Sequence, residues 1–301
     1  MNPTRLVLAT RRSALALAQS RAFARDLAAH WPGLAVEELQ VVTTGDKVQT
    51  VPLSEVGGKG LFTKEIEEAL DRGEAHFAVH SFKDVPAEVS PKFAIACVPR
   101  RADPRDVMVT RSGAKLDALP AGARVGTSSL RRAMQLTLVR PDLTIVPLRG
   151  NVDTRLRKLD SGELDAIVLA SAGLGRLGLA ARVTEALDPA LVVPAPGQGA
   201  LAIECRAGDE ATLAALAPLN DADTEIAVAC ERGVMHAVGG NCTVPFGAYA
   251  AREGDTLRLN AVLAGSTGDP PHRIERTMAW PRASAEAAEI GREIGKALLR
   301  S

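Results

Sequence analysis

The order of apolar and polar runs predicts an α/β fold: two similar α/β regions of alternating strands and helices, followed by a small α+β domain. Three observations carry this. Short apolar runs alternate with helical patterns over residues 5–99 and again over 123–199, the spacing of βα units. Each of these regions repeats one device, a strand end leading into an arginine-bearing turn and a helix start. From Asp223 the pattern changes to an alanine-rich helix and strands that alternate like an antiparallel sheet. The expected boundaries are residues 1–99 with 200–219, residues 100–199, and residues 220–301.

In order, Arg5–Ala9 reads as a strand, Thr10–Ser13 as a turn and Ala14–Ala29 as a helix. Val36–Thr43 is a second strand. Gly45–Gly60 ends in GGKG, but the phosphate-loop spacing G-x-x-x-x-G-K-[ST] is absent, so it reads as a lid carrying Lys59. Leu61–Arg72 is an amphipathic helix closed by Gly73. Ala75–Val79 and Phe93–Val98 are strands, separated by HSFKDVP, and the proline-bearing RRADPRD (Arg100–Asp106) is read as the crossing into the second domain.

The second domain begins with the strand Ala123–Gly126, the turn Thr127–Arg132 and a helix to about Val139. A strand at Leu143–Leu148 leads through Arg149-Gly150-Asn151 into a helix with Arg155, and Asp165–Ala170 leads into glycine-rich Ser171–Gly178 with Arg176 inside. Parallel layers are expected here. The stiff VVPAPGQG (Val192–Gly199) precedes a strand at Ala200–Cys205 that returns the chain to the first domain. The last domain is the helix Glu225–His236, strands at Gly247–Ala251, Leu257–Ala264 and His272–Trp280, and the helix Ser284–Leu299.

The composition is that of a globular protein, 46% hydrophobic and 24% charged. With 36 basic and 36 acidic residues and only 3% aromatics, it lacks the charge of a nucleic-acid binder and the rings of a base-stacking platform. No apolar run reaches transmembrane length, and the arginines near the start accompany a folded strand and helix rather than a transit peptide. The four cysteines form no C-x-x-C pair and no zinc spacing, which excludes a metal or redox motif and suits a cytoplasmic protein. Cys97 and Cys205 lie in apolar runs and are expected in the core.

Helix starts expose unpaired N–H groups and a partial positive charge, and arginine adds a planar fork for carboxylates. One such turn is equally a helix cap beside a solvated arginine. Three of them, at Thr10–Ser13, Thr127–Arg132 and Arg149–Arg155, favour a polyanionic ligand in an interdomain cleft. Lys83-Asp84, between a strand and Pro86, is either a surface pair or a carboxylate that steadies a cation and passes a proton. His80 reads as a hydrogen-bonded support. Cys242, behind Gly239 and Gly240 and before Pro245, is either a buried small hydrophobe or a presented thiol, and the loop alone leans to the buried one.

Eight stretches in the right order, covering essentially the whole chain, resemble the hydroxymethylbilane synthase (porphobilinogen deaminase) family. They are ATRRSALALAQ, VGGKGLFTKEIE, AVHSFKDVP, DPRD, VGTSSLRR, LRGNVDTRLRKL, PAPGQGALAIECR and GGNCTVPFGAYA. The resemblance implies two doubly wound α/β domains, similar to type II periplasmic binding proteins, flanking a cleft, plus a smaller α+β domain. Its implied cofactor is dipyrromethane, bound through a thioether to Cys242. On that primer four porphobilinogen molecules would be deaminated and joined, and hydrolysis would release hydroxymethylbilane for haem and related tetrapyrroles.

By match, Asp84 and Lys83 carry the catalysis. Ser81, Thr127, Ser129, Arg131, Arg132 and Arg155 bind the cofactor with Cys242. Arg11, Ser13, Gln19, Lys59, Arg149, Arg176 and Gln198 bind substrate. The implied protein is a cytoplasmic monomer whose only partner is porphobilinogen, with no nucleic acid, membrane or metal. Asn241 departs from the family, where many members have a third glycine before the cysteine.

Overall fold

Ser13 stops the first strand and starts the first helix: its side chain accepts a hydrogen bond from the Ala16 N–H, satisfying one of the helix's orphan donors. It lies in a computed structural model of the chain that describes residues 3–44, 63–240, 244–265 and 269–300. The chain divides into two compact units, residues 1–101 with 200–225 and residues 102–199 with 226–301.

The first unit opens with β1 (Arg5–Arg11), α1 (Ala14–His30) and β2 (Ala35–Val41), β2 pairing parallel to β1. After α2 (Lys64–Asp71), β3 (Phe77–Ser81) pairs parallel to β1 on its other side, and β4 (Phe93–Cys97) follows. β3 starts two residues later than the apolar run predicts. His76 instead makes a two-point contact with Val7, donating its backbone N–H and accepting the Val7 N–H at its ring Nδ1.

The second unit holds β5 (Asp106–Thr110), β6 (Arg124–Gly126), α3 (Leu130–Val139), β7 (Thr144–Val146), α4 (Val152–Asp160), β8 (Ala166–Ala170), α5 (Ser171–Arg176) and β9 (Glu185–Ala186). Its sheet runs β7-β6-β8-β5-β9, with β6 parallel to β7 and β8 but β5 antiparallel to β8 and β9. Side chains alternate across a strand, so Ala166 and Val168 of β8 enter one core with Val125 and Leu136. Ile167 and Leu169 enter another with Leu148, Leu156 and Leu159. Both faces are covered, which is the reason the strands read as unbroken apolar runs.

β10 (Leu201–Arg206) returns to the first sheet and lies antiparallel between β3 and β4, giving the order β2-β1-β3-β10-β4; α6 (Glu210–Leu216) follows. Cys97 and Cys205 sit in that core beside Phe77, which Phe23 meets edge-on at 5.8 Å between ring centroids. Both sheets are therefore mixed, which corrects the expectation of parallel layers. β5, whose head lay in the expected crossing segment, is an added central strand, and the glycine-rich stretch after β8 is the short helix α5.

The remainder is α7 (Ala222–Ala237), the antiparallel meander β11 (Phe246–Glu253), β12 (Thr256–Leu263) and β13 (His272–Ala279), and α8 (Ser284–Leu298). Gly233 of α7 and Gly291 of α8 let these two helices touch backbone to backbone. A Cβ on Gly233 would collide with the Ala288 carbonyl, and one on Gly291 with the Cys230 carbonyl. Among the described residues no helix is long and apolar enough to cross a membrane.

Candidate active site

Lys83 and Asp84 owe their exposure to their neighbours. At the end of β3 the chain makes one tight turn, Phe82–Asp84, whose flanking side chains Phe82 and Val85 are buried. The Phe82 N–H is tied to the Ala200 carbonyl and the Val85 N–H to the Phe82 carbonyl. The two residues between these anchors are left pointing outward and exposed. The Asp84 carboxylate makes no ion pair or hydrogen bond with a described residue.

Beneath the turn, Gln19 of α1 and Ser81 hold one another: Gln19 Nε2 donates to Ser81 Oγ at 2.9 Å, and Ser81 Oγ donates back to Gln19 Oε1 at 3.3 Å. His80 Nε2 meets Glu204 Oε2 at 2.9 Å with both side chains buried, the support expected of it. Arg11 ends β1 half-buried, beside the turn that Ser13 caps.

In the second unit, the turn after β6 is closed by its own hydroxyls. Ser129 N–H donates to Thr127 Oγ1 at 3.1 Å, Arg132 N–H to Ser129 Oγ at 3.4 Å, and Ser128 Oγ to the Leu148 carbonyl at 2.9 Å. Asn151 caps α4 in the same way through the Thr154 N–H. Gly150, at φ +106°, makes the bend before it, and Arg155 Nε donates to the Gly150 carbonyl at 2.8 Å.

Arg131 and Arg132 follow Ser129 directly, yet both are only 6% exposed. They converge on Asp106, the first residue of β5. Arg132 gives Oδ1 two bonds, Nε at 2.9 Å and Nη2 at 2.7 Å, and Arg131 Nη1 reaches Oδ2 at 2.6 Å. Gln198 Nε2 adds a further bond to Oδ1 at 2.9 Å and one to the Pro104 carbonyl at 2.7 Å. Gln198 is thus buried in the arginine network. Burial by itself would push the Asp106 carboxyl up, but the Arg131 and then the Arg132 charge outweigh it and hold the carboxyl well below the usual range.

Burial pushes Arg155 down to about 10, helped by the charges of Arg132 and Arg149, so these three guanidiniums feel one another. Arg176 is also pushed down to about 10 by burial, and its Nη2 donates to the Gly199 carbonyl at 2.7 Å. Arg131, Arg132, Arg149 and Arg155 therefore belong to one positively charged group in this unit. Cys242 and Lys59 lie outside the described residues.

Sequence reasoning passed over two residues. Asp106 stood inside a quoted motif without a role; its signal was a carboxylate heading the apolar run VMV. Glu231 of α7, fully buried, accepts the Gly197 N–H at 2.7 Å and the Ala250 N–H at 2.9 Å, tying helix, loop and β11 together. An acid inside an alanine-rich helix was its only signal.

A family model described as porphobilinogen deaminase, dipyromethane cofactor binding domain, matches residues 6–214, and one described as porphobilinogen deaminase, C-terminal domain, matches residues 225–300. The porphobilinogen deaminase of Sorangium cellulosum is 59% identical over 98% of this chain and 99% of its own length. That of Syntrophobacter fumaroxidans is 50% identical over 98% of this chain and 94% of its own, and that of Bordetella bronchiseptica 50% over 98% and 93%. A solved probable amino-acid ABC transporter extracellular-binding protein from Bacillus subtilis is similar at a TM-score of 0.42 and 9% identity over 72% of this chain and 90% of that one, and it carries none of the assignment. The two family matches, in tandem over nearly the whole length, and relatives sharing half or more of their residues establish that the chain belongs to the porphobilinogen deaminase family, with a dipyrromethane cofactor.

Proposed function

We propose that this chain deaminates porphobilinogen and joins four molecules stepwise onto a dipyrromethane primer held by Cys242, then releases hydroxymethylbilane by hydrolysis. The observation that carries the reading is the charge imbalance in the second unit: Arg131 and Arg132 share one buried carboxylate, Asp106, and Arg155 feels the charge of Arg132. Each pyrrole of the chain brings carboxylates, and such a surplus of guanidinium is suited to them.

The residues present fit the cofactor. The Nε and Nη2 hydrogens of Arg131 have no acceptor among the described residues. Thr127 and Ser129 accept backbone N–H bonds at their oxygens, which leaves each hydroxyl proton able to donate to a carboxylate. When bound, the dipyrromethane supplies the free pyrrole carbon to which the first unit is joined. Cys242 holds it by a thioether and Ser81 contributes a further hydroxyl.

Asp84 accepts from pyrrole N–H groups, steadies the positive charge that develops on the substrate as ammonia leaves, and takes up the proton released on joining. Lys83 beside it binds a substrate carboxylate. Arg11, Ser13, Arg149 and Arg176 bind the carboxylates of substrate and growing chain, with Gln19, Lys59 and Gln198 in support. We read residues 1–99 with 200–219, 100–199 and 220–301 as three folding domains, and the protein as a cytoplasmic monomer. Among the described residues Cys97, Cys205 and Cys230 are buried free thiols, which suits a reducing compartment.

The test is the intact mass of purified wild type against Cys242→Ser. A mass excess of two linked pyrroles in the wild type, absent from the variant, is expected. An unmodified, folded wild type that still binds porphobilinogen would instead make this a binding protein.

A further inference from the structure

Buried arginines raise an accounting question: where does each guanidinium N–H go? In Arg132, Nε and Nη2 go to Asp106 and Nη1 goes to the Val168 carbonyl at 3.0 Å. In Arg131, Nη1 serves both Asp106 and the Val193 carbonyl, each at 2.6 Å. The Asp106 carboxylate of β5 and the backbone carbonyls of β8 and of the loop before Pro194 thus grip both side chains. Asp106 itself is fixed, because Gln198 bonds its Oδ1 while also bonding the carbonyl of Pro104, two residues earlier.

The grip is incomplete in two respects. Arg131 keeps Nε and Nη2 hydrogens with no acceptor among the described residues. Two cations also share one buried anion, which leaves a surplus positive charge in a place where an unbalanced charge is costly. A purely structural ion pair has no use for that surplus, whereas a carboxylate-binding site requires it.

We propose that Asp106 is a positioning residue: it fixes Arg131 and Arg132 so that their remaining N–H groups receive a carboxylate of the bound pyrrole chain. The inference rests on reading those arginines as cofactor ligands. Asp106 touches no reacting atom and acts through the two guanidiniums. An arginine held in advance loses less rotamer freedom when its ligand arrives.

The test uses Asp106→Asn, which keeps the shape and removes the charge, and Asp106→Glu, which keeps the charge and displaces it. Each is purified as the cell makes it. Folding is followed by circular dichroism and urea unfolding, cofactor content by intact mass, and kcat and KM for porphobilinogen by steady-state assay. In a folded Asp106→Asn, a large fraction of cofactor-free protein is expected, or a KM for porphobilinogen raised roughly tenfold or more. Asp106→Glu is expected to recover part of that loss. A folded Asp106→Asn that is fully loaded with an unchanged KM overturns the proposal, as does failure of both variants to fold, which would make Asp106 structural. Absence of the two-pyrrole mass from the wild type would sink the functional reading instead.

Discussion

Gly247 of β11 lies against the stem of Arg131: a Cβ at this position would sit 3.2 Å from Arg131 Cδ. It would lie closer still to backbone, 2.7 Å from the Val193 carbonyl oxygen and 2.9 Å from that of Pro194. The Ala248 N–H donates to that same Pro194 carbonyl at 3.1 Å, so strand and loop are already locked together. A buried arginine is held here between a loop and a strand edge that has no side chain. Gly247→Ala must move backbone to fit. The expected cost is about 1–3 kcal/mol in urea unfolding, with a raised KM for porphobilinogen because Arg131 shifts with the loop. Unchanged unfolding and kinetics would show that this loop yields to a methyl group at no cost to Arg131.

Asp84 offers the opposite case, a residue whose loss should leave the fold untouched. It is exposed and makes no bond to a described residue, and surface substitutions away from special features usually stay within about 0.5 kcal/mol. Asp84→Ala is expected to unfold like the wild type, to retain its bound pyrroles by intact mass, and to lose about 10²–10⁴-fold in kcat. Near-normal turnover would remove Asp84 from the chemistry.

The contrast between Asp84 and Asp106 also indicates how far sequence reaches. The Lys83-Asp84 turn was legible because strand, turn and proline are neighbours in the chain, and exposure follows from the buried Phe82 and Val85 on either side. Most central strands were legible because burial on both faces makes them continuous apolar runs. β5 was missed because its first residue is a carboxylate, and that carboxylate makes sense only beside Arg131 and Arg132, 25 and 26 positions later. Likewise, the antiparallel insertion of β5 and β10 depends on non-local pairing that no local pattern encodes.

His76 should make stability depend on pH. Its ring Nδ1 accepts the Val7 N–H at 2.9 Å, which requires that nitrogen to be unprotonated. Burial pushes the imidazole below its ordinary value; Asp209 opposes this, while Arg206 and Arg5 add to it. The unfolded chain therefore binds the proton more readily than the folded one. The stability from neutral His76 is fully present above about pH 6.5, the unfolded value, and is lost as pH falls below it. Urea unfolding between about pH 5 and 7.5 should show wild-type stability rising with pH, with a flatter slope in His76→Asn, whose amide oxygen can accept the same bond. Equal slopes would exclude His76 as the source.

The cysteines supply a test of the tether that needs no assay of turnover. Burial pushes the thiols of Cys97 and Cys230 up to about 12 and that of Cys205 up to about 11. The thiolate is the species that alkylates, so at neutral pH these three should ignore iodoacetamide while the protein is folded. Any uptake by the native protein then reports on the fourth, Cys242. If Cys242 carries its pyrroles through a thioether, native wild type takes up no label. After denaturation it takes up label at Cys97, Cys205 and Cys230 and none at Cys242, because a thioether does not re-form a thiol on unfolding. Peptide mass spectrometry after labelling distinguishes the cases. Labelling of Cys242 in the denatured wild type would break the tether, whereas native labelling of Cys97, Cys205 or Cys230 would contradict their burial instead.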